Sequence, residues 1–164
     1  MRKLLFTAII TILMTGMFNN AKAQFSVGPG LGFATDISSL GISANVGYEI
    51  NEKWAATGVF TYFLEKDYVK WSTLDFNANY NLTEIENVGT LYGLGGINVT
   101  MAKIDIPGLS EVLGSSTSSS DFGLNLGAGL NIGLSDKMTL APEVSYTISS
   151  GGYLRAGAKL MFSL

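Results

Sequence analysis

The end of the chain alternates residue by residue. Met138, Leu140, Pro142, Val144, Tyr146 and Ile148 are apolar, while the residues between them, Thr139, Ala141, Glu143, Ser145 and Thr147, are small or polar. After Ser149-Ser150-Gly151-Gly152 the rhythm returns. Leu154, Ala156, Ala158, Leu160, Phe162 and Leu164 share one face, and Tyr153, Arg155, Gly157, Lys159, Met161 and Ser163 share the other. A period of two sustained this long describes a half-buried strand, since a helix would repeat every three to four residues. Two such strands around a Ser/Gly turn predict a hairpin that reaches Leu164, and its last strand then needs a partner on the free edge.

The same pattern fills the rest of the chain from Gln24 onward. Residues 25–34 set Phe25, Val27, Pro29, Leu31 and Phe33 against Ser26 and three glycines; residues 40–50 set Leu40, Ile42, Ala44, Val46, Tyr48 and Ile50 against Gly41, Ser43, Asn45, Gly47 and Glu49. Residues 54–63 carry Trp54, Phe60 and Tyr62 on one phase and Thr57 and Thr61 on the other. Residues 70–82 place Leu74, Phe76, Ala78, Tyr80 and Leu82 opposite Thr73, Asp75, Asn77, Asn79 and Asn81. Residues 88–101 are irregular. Tyr92 and Leu94 share one phase while Ile97, Val99 and Met101 need the other, which predicts a bulge at Gly95-Gly96. Residues 102–120, with Pro107, Gly108, Gly114 and a Ser/Thr run, read as the longest loop. Residues 121–134 alternate cleanly from Phe122 to Ile132. The count is eight strands in one domain.

Ahead of the strands, Met1-Arg2-Lys3 is basic, Leu4 to Phe18 is apolar, and Ala21-Lys22-Ala23 has the small residues that signal peptidase needs. This order predicts a secretory signal peptide at residues 1–23, removed after Ala23, and a barrel domain at residues 24–164. The apolar run, ~15 residues, is short for a membrane-spanning helix. Cleavage takes away Arg2, Lys3 and Lys22 but no acid, so the formal charge of −3 becomes more negative and a nucleic-acid partner is not expected. The chain has no Cys and no His. Disulfides, thiolate metal sites, His-ligated metals and imidazole bases are all excluded on composition, so neither cofactor nor metal is expected.

Alternation does not say which face is outside, because a soluble barrel around a lipophilic ligand has the same period with the faces reversed. Three features favour an apolar exterior. The polar face is mostly Gly, Ser, Thr and Asn, suited to a crowded lumen, and charged residues are only 14% of the chain. Charges within strands (Glu49, Asp75, Glu143, Arg155 and Lys159) all fall on the polar phase, and Lys70 lies at the loop end of its strand, leaving an apolar face with no charge through its middle such as hydrocarbon demands. Aromatics recur near strand ends on the apolar phase, at Phe25, Tyr48, Trp54, Tyr62, Tyr80, Tyr146 and Phe162. Connection lengths agree: turns at 51–53, 83–87 and 135–137 fall on the side of the termini, and the connections at 35–39, 64–69, 102–120 and 149–152 on the other. The expected fold is all-β, an eight-stranded antiparallel up-and-down transmembrane barrel closed by pairing of the last strand with the first.

With these features the chain resembles the small eight-stranded outer-membrane barrels of Gram-negative bacteria, the family of OmpX and the OmpA membrane domain. The segment from Met138 to Tyr146 is similar to the penultimate strand of many such proteins. The resemblance implies residence in outer-membrane lipid and delivery by the barrel-assembly machinery. Family members usually end on an aromatic residue read by that machinery, whereas here Leu164 is last and Phe162 precedes it by two on the same face.

Candidate chemistry is confined to the polar face. Glu143 is expected across from Lys159 or Arg155, depending on the hairpin register, with Asp75 and Glu49 able to join a lumenal charge network. Such a network neutralises buried charge; the alternative is a charge gate or proton path. Gly93-Leu94-Gly95-Gly96 and Gly127-Ala128-Gly129 resemble nucleotide-binding loops only superficially, since they lie in strands and precede no helix. Membrane-barrel enzymes generally use His, which is lacking, so no catalysis is expected. The expected role is structural, adhesive or surface-interacting, acting through outer loops such as 102–120. A secreted soluble barrel holding a small lipophilic ligand and a narrow ion or small-solute pore are the alternatives.

Overall fold

The computed structural model describes residues 25–36, 38–65, 69–104 and 117–164. The expected signal peptide and the middle of the longest loop lie outside the described residues. These residues form eight strands, β1 (Phe25–Ala34), β2 (Ser39–Glu49), β3 (Trp54–Phe63), β4 (Val69–Ile85), β5 (Gly89–Ile104), β6 (Thr117–Ser135), β7 (Met138–Ile148) and β8 (Tyr153–Ser163). Each pairs antiparallel with its sequence neighbours, and the sheet closes into a barrel. At the seam Ser26 pairs with Ser163 and Ala34 with Arg155, so the free edge of the last strand is taken up by the first. Closure leaves no row of unpaired backbone groups facing lipid along these strands.

The turns on the side of the termini are short and locally specified. The Asn51 side chain accepts hydrogen bonds from the backbone N–H groups of Lys53 and Trp54, both at 2.9 Å, which closes the β2–β3 turn. Asn87 takes a left-handed conformation (φ 59°) in the turn before β5, a role asparagine tolerates better than most residues.

The apolar phase faces outward. Leu31, Ile42, Phe76 and Leu126 are each more than half exposed, while Thr73, Asp75 and Thr147 on the other phase are fully buried. A soluble barrel would bury the first set, so the reversed-face alternative does not hold. At the terminus-side rim, the Phe25 and Tyr48 rings lie 4.9 Å apart and those of Trp54 and Tyr80 4.8 Å apart, each pair directly opposite in register. Tyr62 and Tyr146 stand near the opposite rim. Amphipathic rings in these places suit the two membrane interfaces.

Several details differ from the expectations. No bulge occurs at Gly95-Gly96: pairing runs unbroken from Met101 to Tyr92 on both sides of β5. Tyr92 and Leu94 instead continue the lumenal phase of Asn98 and Thr100 and are buried inside, with Gly93 and Gly95 on the lipid phase. The irregularity lies one strand earlier, between Asn81 and Thr83, where Leu82 is the extra residue in β4. Strand β4 extends to Ile85, so the turn after it is narrower than 83–87. The supposed loop 102–120 is also partly strand, for Ile104 pairs with Thr117 and Lys103 with Ser118. Serine and threonine are permissive enough to read as loop, but here they continue a ladder begun in the barrel wall.

Candidate functional site

The lumen holds the chemistry. Its wall is built from the polar phase of every strand, and the side chains of β4 to β8 meet across it. Asp75 on β4 and Arg155 on β8 form a bidentate pair, with Nη1 to Oδ2 at 2.7 Å and Nη2 to Oδ1 at 2.9 Å. Two amides finish the carboxylate: Asn98 Nδ2 donates to Oδ1 at 2.6 Å and Asn125 Nδ2 at 2.8 Å. Those amides are fixed in turn. Thr100 Oγ1 donates to Asn98 Oδ1 at 2.8 Å, and Thr147 Oγ1 donates to Asn125 Oδ1 at 2.8 Å. The Tyr153 hydroxyl lies 3.1 Å from Thr100 Oγ1, and the Arg155 guanidinium sits 5.9 Å from the Tyr153 ring centre. This cluster joins β4, β5, β6, β7 and β8. A charge so deeply placed is tolerable because both carboxylate oxygens meet donors, one of them a guanidinium.

A second group lies nearer the rim of the termini. Glu143 on β7 accepts from Lys159 Nζ at 2.5 Å and from the Tyr92 hydroxyl at 2.8 Å. The hairpin register places Glu143 directly opposite Gly157, with Arg155 and Lys159 two positions to either side. Neither cation is therefore straight across. The strand pair is twisted, and Glu143 pairs diagonally with Lys159 while Arg155 reaches across the lumen to Asp75. Both ion pairs are electrically neutral as units, so the lumen carries little net charge at their level. Glu49 does not join them. It is the last residue of β2, exposed at the rim, and makes no ion pair with any described residue. Its phase is lumenal, but phase does not determine height.

Above the Asp75–Arg155 pair, Ala34, Phe63 and Tyr153 form a small buried cluster with Trp71 packed against it. These aromatics pack inside the lumen toward its outer end. Trp71 and Phe63 were legible only as strand residues, although Trp71 does share the phase of Thr73 and Phe63 that of Thr61. A cavity of about 60 Å³ flanks the plug on its β1–β3 side, where Gly32, Ser43 and Thr61 leave space beside Asp75, Glu143 and Arg155. A larger one, about 230 Å³, lies below the Glu143–Lys159 pair and extends to the terminus-side rim. Among the described residues no group of three or more acidic side chains is gathered as a metal site would require. The arrangement is a hydrogen-bonded network of side chains across the lumen, with a small space beside it and a larger one toward the terminus-side rim.

Comparison with known proteins agrees with this architecture. The barrel domain of Pseudomonas aeruginosa OprF superposes with a TM-score of 0.66 at 16% identity, covering 87% of this chain and 100% of that one. Neisserial surface protein A gives 0.66 at 13% identity, covering 87% and 97%. Ail, the attachment invasion locus protein of Yersinia pestis, solved in complex with the heparin analogue sucrose octasulfate, gives 0.53 at 22% identity, covering 85% and 97%. At such identities the likeness is one of fold. No curated protein sequence matches the chain significantly. The sequence does match the outer membrane protein beta-barrel domain over residues 11–162. That match spans most of the chain, and the closed barrel with its apolar exterior is the structure it calls for: the protein belongs to the outer-membrane β-barrel domain family and resides in the outer membrane.

Proposed function

We propose that this protein is a plugged outer-membrane barrel whose work is done at the cell surface by its outer connections. The observation that carries the reading is the contrast between a lumen filled by the Asp75–Arg155 and Glu143–Lys159 groups and an outer rim that projects. Strand β6 pairs with β7 only as far as Leu124–Ile148, yet stays paired with β5 out to Ile104–Thr117. The β5–β6 hairpin thus overtops its β7 neighbour, and Phe122, at 75% exposed, stands at its base. Asp121 steadies the adjoining turn by accepting from the Ser150 N–H at 3.2 Å. A projecting ladder whose β6 edge is unpaired beyond Leu124 among the described residues is a template for strand addition by a protein partner. Ail, whose fold this chain shares, bears a name that refers to attachment, which supports an adhesive role.

In this reading residues 1–23 are the export signal, cut after Ala23, and the barrel-assembly machinery inserts residues 24–164. Catalysis has no part in it. The test is whole-cell binding to host-cell or neighbouring-cell surfaces, comparing the native protein with a variant in which residues 102–120, the projecting ladder with the segment between its strands, are replaced by a Gly/Ser linker. Loss of binding with an unchanged heat-modifiable barrel band supports the surface role, and full retention refutes a role for this hairpin. The mass of the mature protein, expected to begin at Gln24, tests the signal.

A second reading, a narrow ion path, is favoured by the 60 Å³ cavity beside the plug. It requires single-channel conductance in planar bilayers that changes on Glu143→Gln or Arg155→Gln. The plugged reading requires no steady conductance.

A further inference from the structure

Among the described strand residues only two charges stand on the outward phase, Lys70 on β4 and Lys103 on β5. The register sets them directly opposite one another. Side chains so placed have Cβ atoms about 5 Å apart, and like charges there repel. A wall that meets lipid makes the pair costlier still, so it calls for a counter-charge. Glu65 supplies part of one: its carboxylate lies 3.7 Å from Lys70 Nζ, with the two side chains 43% and 40% exposed. A pair that long and that open to water contributes little, and one carboxylate leaves two ammonium groups in excess. Lys103 is exposed and makes no ion pair with any described residue. Asp121, the acid on β6, is opposite Thr100 and therefore on the lumenal phase, where it accepts from Ser150.

Height says what kind of counter-charge fits. Tyr62, one of the interfacial aromatics, is level with Ser72, which is level in turn with Met101 and Ser120. The lysines stand one outward row further from the membrane centre, about 7 Å along the strands, where lipid headgroups lie. On the membrane side of the Ser72–Met101–Ser120 row the wall is apolar. Leu74 and Val99 are opposite one another, and Phe122, opposite Val99 on β6, is 75% exposed. Cations outermost, hydroxyls next and hydrocarbon beneath is the order that an anionic lipid lying against the wall would meet. Charge narrows the choice. Two ammonium groups match a phosphate monoester, with about −1.5 to −2 charge at neutral pH, better than the single charge of a phosphodiester or carboxylate.

We propose that the outward wall of β4–β6 binds a lipid bearing a phosphate monoester, its phosphate held by Lys70 and Lys103 and its acyl chains lying on Leu74, Val99 and Phe122. The rim opposite the termini is the outer one, so the lipid is one of the outer leaflet. This site lies on the lipid face of the wall, apart from the unpaired β6 edge, and stands whether or not the surface role does.

The test uses the full mature barrel refolded in maltoside micelles, which carry neither charge nor phosphate. Phosphatidic acid is the probe; diacylglycerol with the same chains supplies the hydrocarbon alone, and glycerol 3-phosphate the headgroup alone. Met101, opposite Ser72 and two residues from Lys103, reports through its methyl resonance. A saturable shift is expected with phosphatidic acid, and binding at least about ten-fold weaker with either half of the molecule. Combining Lys70→Gln with Lys103→Gln is expected to weaken phosphatidic acid at least about ten-fold, whereas Lys53→Gln, in the β2–β3 turn at the other rim, leaves it unchanged. The proposal is overturned by equal affinity in the native protein and the double variant, or by an equal loss in Lys53→Gln. Glycerol 3-phosphate binding as tightly as phosphatidic acid overturns it in favour of a soluble-anion site, and diacylglycerol doing so leaves the lysines no role. The comparison of the three probes on native protein decides the matter even where a variant loses its heat-modifiable band. These point variants keep the outer hairpin and are read without cells, so their outcome is independent of adhesion.

Discussion

Asp75 accepts hydrogen bonds from Arg155, Asn98 and Asn125, and these donors stand on three other strands. Removing its carboxylate strands a buried guanidinium. Asp75→Ala is expected to destabilise the barrel by about 3–5 kcal/mol in denaturant unfolding, because the loss of one partner leaves an uncompensated charge. Pairing Asp75→Asn with Arg155→Met should recover much of that loss, since the double variant buries no charge; the coupling in the double-mutant cycle is the quantity to measure. The sequence placed Asp75 and Arg155 on the lumenal phase but had no means of joining them, since they lie 80 residues apart. Their meeting depends on which rows the closed sheet brings level.

Glycine shapes the elements. At the seam, a Cβ on Gly157 would stand 2.4 Å from Leu31 O and 2.8 Å from Gly32 Cα, both backbone atoms that cannot turn aside. Gly157→Val is therefore expected to cut the fraction of protein that reaches the heat-modifiable form, whereas Gly133→Ala, which meets nothing within 4 Å, should leave it unchanged. On β6 the ring of Tyr92 lies over Gly129, where an added Cβ would come within 2.3 Å of the hydroxyl oxygen. This explains how the largest fully buried side chain of the barrel fits a lumenal position. It also explains the misread phase of β5. Alternation rules assume that the apolar residue faces lipid, but here a tyrosine and Leu94 fill space vacated by small residues on β6, and Gly93 and Gly95 take the lipid side. A bulge was the simplest way to reconcile the pattern; complementary side-chain volume across the lumen is what the protein uses.

For the whole molecule the membrane is the solvent that gives the faces their meaning. Phe76, 52% exposed and level with Gly58 and Ile97 in the middle of the sheet, faces hydrocarbon. Phe76→Lys is expected to cost about 2–4 kcal/mol in unfolding from lipid bilayers. Lysine at the exposed, rim-level Leu164 should cost ~0–1 kcal/mol. If the two substitutions cost the same, the apolar band is not the membrane-spanning surface. The same exterior explains why so much exposed apolar area is no aggregation signal here, as it would be on a soluble protein.

Period-two alternation, turn residues and the phase of the charges determined eight strands, their order, the polar interior and the compartment. These are local properties: each residue's face follows from its neighbour's, and an outward apolar face without charge suits only lipid. The tertiary structure alone decided which charges pair, where the lumen is stopped and where it is left open. Those depend on the stagger of strands around a closed barrel, which sets the height of each residue against partners on distant strands. Glu49 shares its phase with Asn45 yet ends at the rim, and Glu143 meets Lys159 on the diagonal because the register puts Gly157 opposite it.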